Sequence, residues 1–222
     1  MTTRTPSPQA GPARTRRTQR ERREESDRLL LMAAAGLIAR QGYGATTLEQ
    51  IGREAGYSRG LVTQKFGSKE GLVRALIAIL HQDLYMVLEE AIGDARGIAA
   101  VLRVNDVYLR IFTEAALAEA PDREISVKAY YVLMSESIGV IPEVREFFTE
   151  ANLRFRAFLD SHLRVAQAMG EMRDSLAPDI AAGLIQSALS GLTLLWLVDR
   201  NAIDMEATRD VLVETIRRTL VP

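Results

Sequence analysis

From Ser26 onward the apolar residues of this chain recur with a helical period. Leu30, Ala33, Ala34, Leu37 and Ile38 fall three and four apart, which predicts an amphipathic helix that Gly42 stops. Thr46 and Thr47 precede a second helix. Thr46-x-x-Glu49 and Thr47-x-x-Gln50 both fit a capping box, in which the hydroxyl satisfies an orphan N–H of the first turn. Leu48, Ile51 and Ala55 give that helix its apolar face and Gly56 ends it. Tyr57 and Ser58 form a short turn, from which Ser58 can cap a third helix running to Phe66. Gly67 breaks it, and Ser68 caps a fourth helix that runs through Leu72, Leu76 and Leu80 to about Ala91. Past a turn marked by Gly93 and Gly97, helical patterns cover 98–120, 123–138, 143–169, 178–200 and 205–220. Pro121, Pro142 and Pro178 stand at or just before helix starts, where proline is tolerated, and Gly170 is placed to end a helix. No alternating strands bounded by hairpin turns occur. The predicted fold is all-α, with about nine helices and no internal repeat.

Two short helices joined by a tight glycine-containing turn, within 43–72, form a helix-turn-helix, whose second helix enters the major groove of DNA. Ile51 and Ala55 are expected to pack against Val62 and Phe66, with Ala55 and Gly56 small because the helices approach closely there. The third helix carries few apolar residues, which leaves Arg59, Thr63, Gln64 and Lys65 facing outward as donors for base edges and phosphates. An ordinary helical hairpin inside an all-α core is the competing reading of this segment.

Charge at first argues against nucleic acid. The 222 residues carry 28 Lys+Arg and 29 Asp+Glu, a net charge of −1. That value is a cancellation. Residues 1–74 are net +7 and residues 75–222 net −8. Within the basic end, residues 1–23 account for +6 and residues 24–74 for only +1. The first 24 residues are rich in Pro, Thr, Arg and Gln, with almost no large apolar side chains, and are read as a disordered tail. Arg4, Arg14, Arg16, Arg17, Arg20, Arg22 and Arg23 make this tail either a solvated leader or an arm that lies along DNA. The domain plan is thus a tail over 1–24, a helix-turn-helix domain over 25–72 and a helical body over 73–222.

The run from Gly42 to Leu72 resembles the N-terminal domain of the tetracycline-repressor (TetR) family. The shared elements are Leu-x-x-Ala-Ala-x-x-Leu-Ile from Leu30, Gly-Tyr-x-Ala-Thr-Thr from Gly42, Ile-x-x-x-Ala-Gly-x-Ser-x-Gly from Ile51, and Phe-x-Ser-Lys-Glu-x-Leu from Phe66. They cover about 45 residues, and capping, turn and spacing agree together. The rest of the chain resembles the family more loosely, through the Gly170-Glu171-Met172-Arg173 turn, Gly191-Leu192 with Trp196-Leu197, and two final amphipathic helices. The resemblance implies roles. Thr47 would hold a phosphate with its hydroxyl and the N–H groups of the helix end, Lys69 would grip another, and Tyr57 would lean on the backbone beside the capping Ser58. Arg59, Gly60, Leu61, Thr63 and Lys65 occupy the positions that meet bases, with Arg59 the candidate for guanine. Where the family often has Tyr-His-Tyr-Phe, this chain has Thr63-Gln64-Lys65-Phe66, so hydroxyl, amide and ammonium groups stand in place of aromatic packing.

The body exceeds what a DNA anchor requires, and two roles suit it, dimerisation and ligand binding. A lone helix-turn-helix reads only a few base pairs, so two copies on a palindrome are expected. Helices 178–200 and 205–220 are the expected seam, with Ile180, Leu184, Ser187, Ala188, Gly191 and Leu195 on the first and Leu212 and Ile216 on the second. Tyr108, Phe112, Tyr130, Tyr131, Met134, Phe148, Phe155 and Trp196 are candidates to line an apolar pocket, although aromatics at helical spacing are more often core. No catalytic residue, metal site or cofactor is expected. The chain has no Cys, lacks the P-loop, Gly-x-Ser-x-Gly and His-Glu-x-x-His patterns, and its two histidines, His81 and His162, lie far apart. The apolar run Leu29 to Ala39 is about half the ~20 residues of a membrane span, so a soluble cytoplasmic protein is expected. The function expected is that of a homodimeric, sequence-specific transcriptional repressor, released from a palindromic operator by a small, largely apolar effector. The alternatives are a ligand-independent architectural or activating DNA-binding protein and, more distantly, an enzyme.

Overall fold

The computed structural model describes residues 18–111 and 120–222. Nine α-helices and one 3₁₀ turn make up the described residues, and no strand occurs among them. In chain order they are α1 (Gln19–Ala45), α2 (Leu48–Glu54), α3 (Arg59–Phe66), α4 (Lys69–Ile92), α5 (Gly97–Arg110), α6 (Pro121–Ser137), the 3₁₀ turn (Pro142–Val144), α7 (Arg145–Ala168), α8 (Pro178–Val198) and α9 (Met205–Leu220). Phe112 and the arginines Arg4, Arg14, Arg16 and Arg17 lie outside the described residues.

The first helix starts earlier than its apolar period suggests, which corrects the tail boundary at residue 24. Thr18 caps α1: its hydroxyl accepts from the Glu21 N–H, and the Glu21 carboxylate accepts from the Thr18 N–H at 2.8 Å. A capping box therefore starts a helix whose first turns are wholly polar, and Arg20 and Glu24 pair across one of them at 2.7 Å. Arg20, Arg22 and Arg23 accordingly ride on a helix. At the other end Gly42 kinks α1 without ending it, with φ 78° and ψ 170°, and the helix resumes to Ala45.

Two apolar clusters form the interior. One gathers Leu30, Ala34, Ile38, Ile51, Val62, Leu72 and Leu76 with Ala129 and Leu133 of α6 and Phe148 of α7. The other gathers Leu88, Val101, Leu109, Leu159, Leu163, Leu189 and Ile216. Helix α4 is continuous between them, Leu72 and Leu76 in the first and Leu88 and Ile92 in the second, so packing does not divide at residue 73. Full burial of each such leucine contributes about 1.5–3 kcal/mol. Helix α6 lies along α1, α7 packs on α8, and α9 packs on α5. The turn after α7 joins in: the Glu171 carboxylate accepts the Ile98 N–H at 2.9 Å, at the start of a helix whose own N-cap side chain makes no capping bond. By length and composition α4 and α8 are apolar enough to cross a membrane; buried side chains of α4 face both cores, those of α8 face the second, and α8 keeps another apolar side exposed.

Candidate nucleic-acid interface

Three hydroxyls cap the three helices that follow α1. Thr47 accepts from the Gln50 N–H at the start of α2, Ser58 from the Leu61 N–H at the start of α3, and Ser68 from the Gly71 N–H at the start of α4. The Gln50 side chain completes a capping box by accepting the Thr47 N–H at 2.8 Å. Beneath them Ile51 and Val62 are fully buried in one cluster, with Ala55 and Phe66 partly buried against it. The turn uses glycine differently from the expectation. Gly56 has open space where a Cβ would stand, and its requirement is a positive φ of 78°. Close approach falls instead on Gly52, where a Cβ would lie 2.9 Å from the Tyr57 carbonyl oxygen.

Of the residues assigned to DNA, Thr47, Ser58, Arg59, Gly60, Thr63 and Gln64 are exposed. Arg59 and Thr63 are one helical turn apart on α3, and Gln64 follows beside them. Tyr57 and Leu61 are half-buried, Tyr57 packing on the core beneath. Lys65 departs from the outward placement expected for it. Its side chain is only 13% exposed and forms an ion pair with Asp27 of α1, with the Arg23 carbonyl 3.4 Å from Nζ. It pins the recognition helix to α1, and the periodicity of α3 puts it on the flank shared with Phe66 and Val62.

Lys69 is held too, beside the kink in α1. Its Nζ donates to the Tyr43 carbonyl at 2.6 Å and lies 3.8 Å above the Tyr43 ring centroid. Burial lowers its ammonium pKa, against the pull of Glu70, Glu136 and Glu143. The Tyr43 hydroxyl donates to Glu70 at 3.0 Å, and burial followed by that carboxylate raises the phenol pKa. The Ser68 hydroxyl, then the Glu70 backbone and the Tyr43 hydroxyl hold the Glu70 carboxyl below the usual carboxylate range. Glu136, at the end of α6, accepts the Tyr43 N–H at 3.0 Å. Sequence reasoning missed Asp27, Tyr43 and Glu136 as parts of this site. Tyr43 stands in the Gly-Tyr-x-Ala-Thr-Thr motif, but no local signal links it to a carboxylate 93 residues on.

A cavity of about 970 Å³ opens behind the interface, between α1, α4 and α6. Of the aromatic and Met candidates for a ligand pocket, Tyr130 lines it. Tyr108, Phe155 and Trp196 are buried in the body core and Phe148 in the N-terminal core, with Met134 partly buried against the latter. Tyr131 is also buried and its hydroxyl donates to the Ser190 carbonyl at 3.2 Å. Their helical spacing reflected core packing. Of the dimer candidates, Ile180, Leu184 and Leu195 are 71%, 65% and 58% exposed, and Ser187 is also exposed. Ala188, Gly191 and Leu212 are half-buried. Ile216 points into its own core at 7% exposure, which corrects its assignment to an outer seam.

Known proteins similar to this chain in sequence and fold are regulators of transcription. Residues 30–76 match the family model of bacterial regulatory proteins of the tetR family, and residues 108–221 match that of the BetI-type transcriptional repressor C-terminal region. The transcriptional regulator TtgR of Pseudomonas putida is 26% identical over 205 residues, 90% of this chain and 93% of its own. The transcriptional repressor Rv3405c of Mycobacterium tuberculosis is 29% identical over 159 residues, 71% of this chain and 76% of its own. Among solved structures, SmeT in complex with triclosan superposes with a TM-score of 0.76 at 23% identity, over 89% of this chain and 92% of that one. SmeT is the repressor of a Stenotrophomonas maltophilia multidrug efflux pump.

Proposed function

The chain belongs to the tetR family of bacterial regulatory proteins, and from that premise we propose that it works as a homodimeric repressor released from a palindromic operator by a small, largely apolar effector. It is a DNA-binding transcriptional regulator with the fold of that family. The observation that carries the DNA reading is the outer side of α3. Arg59, Thr63 and Gln64 are exposed there, while Val62 beneath them is fully buried and fixes the helix. A guanidinium, a hydroxyl and a carboxamide on one rigid surface suit base edges in the major groove. Thr47 and Ser58, exposed at the starts of α2 and α3, add hydroxyls and helix-end N–H groups for phosphates. A bacterial regulator that reads DNA must work where that DNA lies, in the cytoplasm.

The exposed apolar side of α8 supports the homodimer. Ile180, Leu184, Leu195 and Val198 follow one another at spacings that keep them near one face, and Val211 of α9 is exposed as well. A C₂ pairing of this face would hold two recognition helices about one DNA turn apart. For release, the effector must bind the arrangement that does not fit DNA more tightly than the one that does. The cavity between α1, α4 and α6 has the volume of a small-molecule site, and its lining residue Asp27 pairs with Lys65 of the recognition helix.

The experiment is a selection of bound sequences from random duplexes, followed by gel-shift titration of the enriched site. A palindromic consensus bound by a dimer is expected. Ile180→Asp with Leu184→Asp should give a monomer by analytical ultracentrifugation and lose at least about tenfold in operator affinity. A selection without any consensus would overturn the reading in favour of an architectural DNA-binding protein.

A further inference from the structure

We propose that the cavity between α1, α4 and α6 binds an amphipathic organic cation, and that its positive group competes with Lys65 of the recognition helix for Asp27. This rests on the reading of the chain as an effector-released repressor and names the class of effector.

The charge around the cavity is one-sided. Glu24, Asp27, Asp83, Glu90 and Asp122 contribute carboxylates to its lining, against the guanidiniums of Arg28 and Arg123. A cleft with acidic groups and low-dielectric walls focuses a negative potential and concentrates cations. Between the acids the lining is apolar, from residues such as Leu31, Leu76, Leu80 and Leu84, with Met32 and Met86 as adaptable surface for an alkyl or aromatic body. Glu24 and Asp27 already pair with Arg20 and Lys65, while Asp83, Glu90 and Asp122 are exposed carboxylates that would repel an anion, attract a cation and add nothing for a neutral molecule. Burial raises the carboxyl pKa of Asp83, so a cation beside it would stabilise the ionised form. At the inner wall His81 Nε2 lies 3.3 Å from the Tyr130 hydroxyl, and its Nδ1 is buried without a hydrogen-bond partner. Burial and then Arg154 lower the His81 pKa, so the imidazole stays neutral and does not offset the acids.

Asp27 connects this cavity to DNA recognition. Its carboxylate is 41% exposed, lines the cavity and at the same time pairs with Lys65, whose side chain is almost enclosed. One carboxylate then serves two positive groups. A bound cation near Asp27 weakens the tie that sets α3 against α1, and by reciprocity a stronger tie weakens the cation. The coupling runs in the direction of release, because DNA needs α3 held and the cation needs Asp27 free.

The test is calorimetric titration of the full chain with decyltrimethylammonium and with decyl sulfate, both below their micellar concentrations. The ammonium should bind at least about tenfold more tightly than the sulfate, a difference that shrinks as salt is raised. Asp83→Asn with Glu90→Gln, both at exposed positions, should cost the ammonium about fivefold and leave the sulfate unchanged or tighter. Lys65→Met, which keeps length and removes charge, should tighten ammonium binding about threefold or more. Sulfate binding as tight as ammonium binding, no ammonium binding, or an unaltered affinity in Lys65→Met would overturn the proposal. A gel shift on the selected duplex with the same preparation separates the two readings. If that shift is intact while the ammonium fails, the repressor stands and the cation does not.

Discussion

Replacing Glu136 by Ala removes the acceptor that the Tyr43 N–H uses at the kink of α1. There the Gly42 φ of 78° has taken the chain out of helical register, and the bond to Glu136 is 3.0 Å long. Tyr43 itself is 5% exposed, so its N–H has little access to water. A bond to a charged acceptor contributes about 1.5–3 kcal/mol, and the lower half of that range applies because Glu136 is itself half-exposed. For a chain of this size each kcal/mol moves Tm by about 2–4 °C, so Glu136→Ala should lower it by roughly 3–9 °C. Glu136→Gln keeps an amide oxygen for the Tyr43 N–H and loses only the attraction to the Lys69 ammonium, which should cost less than about 1 kcal/mol. Operator affinity should follow the same order, because Tyr43 also holds Lys69 through its carbonyl and its ring. Scanning calorimetry and gel shift on the selected duplex check both. If Glu136→Ala melts within about 1 °C of the parent, or Glu136→Gln is as damaged as Glu136→Ala, the account of the kink is wrong.

Arg59→Ala should relax preference at one base position of the selected site, with about 1–3 kcal/mol of lost discrimination there and little elsewhere; repeating the selection with the variant reads this directly. Gly52→Ala forces a Cβ to 2.9 Å from a backbone oxygen and should lower stability by about 1–3 kcal/mol in urea. Gly60→Ala, whose Cβ would meet only the Ser58 hydroxyl at 3.7 Å, should instead stabilise α3 by about 0.5–1 kcal/mol, and equal effects at the two glycines would contradict the assignment of close approach to Gly52. His81 has a folded-state pKa below its usual 6.5, so the unfolded chain takes up a proton first as pH falls. The stability that neutral His81 contributes is therefore full above pH 6.5 and is lost as pH falls below it toward the folded-state pKa. Tm measured from pH 7.5 to 5 should decline, and His81→Gln should flatten that decline.

What could be read along the chain was whatever local chemistry signals. Thr47, Ser58 and Ser68 cap the helices that the Thr47-x-x-Gln50 box and the breaks before Ser58 and Ser68 implied, because a cap is made within four residues. Thr18 and Glu21 carry the same signature, yet composition alone led to reading them as tail; a wholly polar helix start has no apolar period to reveal it. Lys65 and Asp27 are 38 residues apart, and Tyr43 and Glu136 are 93 apart. Such partners are set by how α3 and α6 meet α1, which no periodicity encodes. The aromatic candidates carry a signal with two meanings. Phe155 and Trp196 have the spacing of a pocket wall and of a core alike, and only packing distinguishes the two.

Because α4 threads both apolar clusters without interruption, the boundary of the recognition module is not a place where the molecule can be cut. A fragment ending at residue 72 would lack Leu76 and the Ala129, Leu133 and Phe148 side chains that close the N-terminal core. It would present that bare patch to solvent as an aggregation surface. The two parts should therefore melt as one cooperative unit, and amide protection along α4 should show no weak point between Leu72 and Leu88. A regulator built this way cannot be rewired by transplanting its DNA-reading segment alone: any chimera must carry α6 and the start of α7 along with the helices that touch DNA.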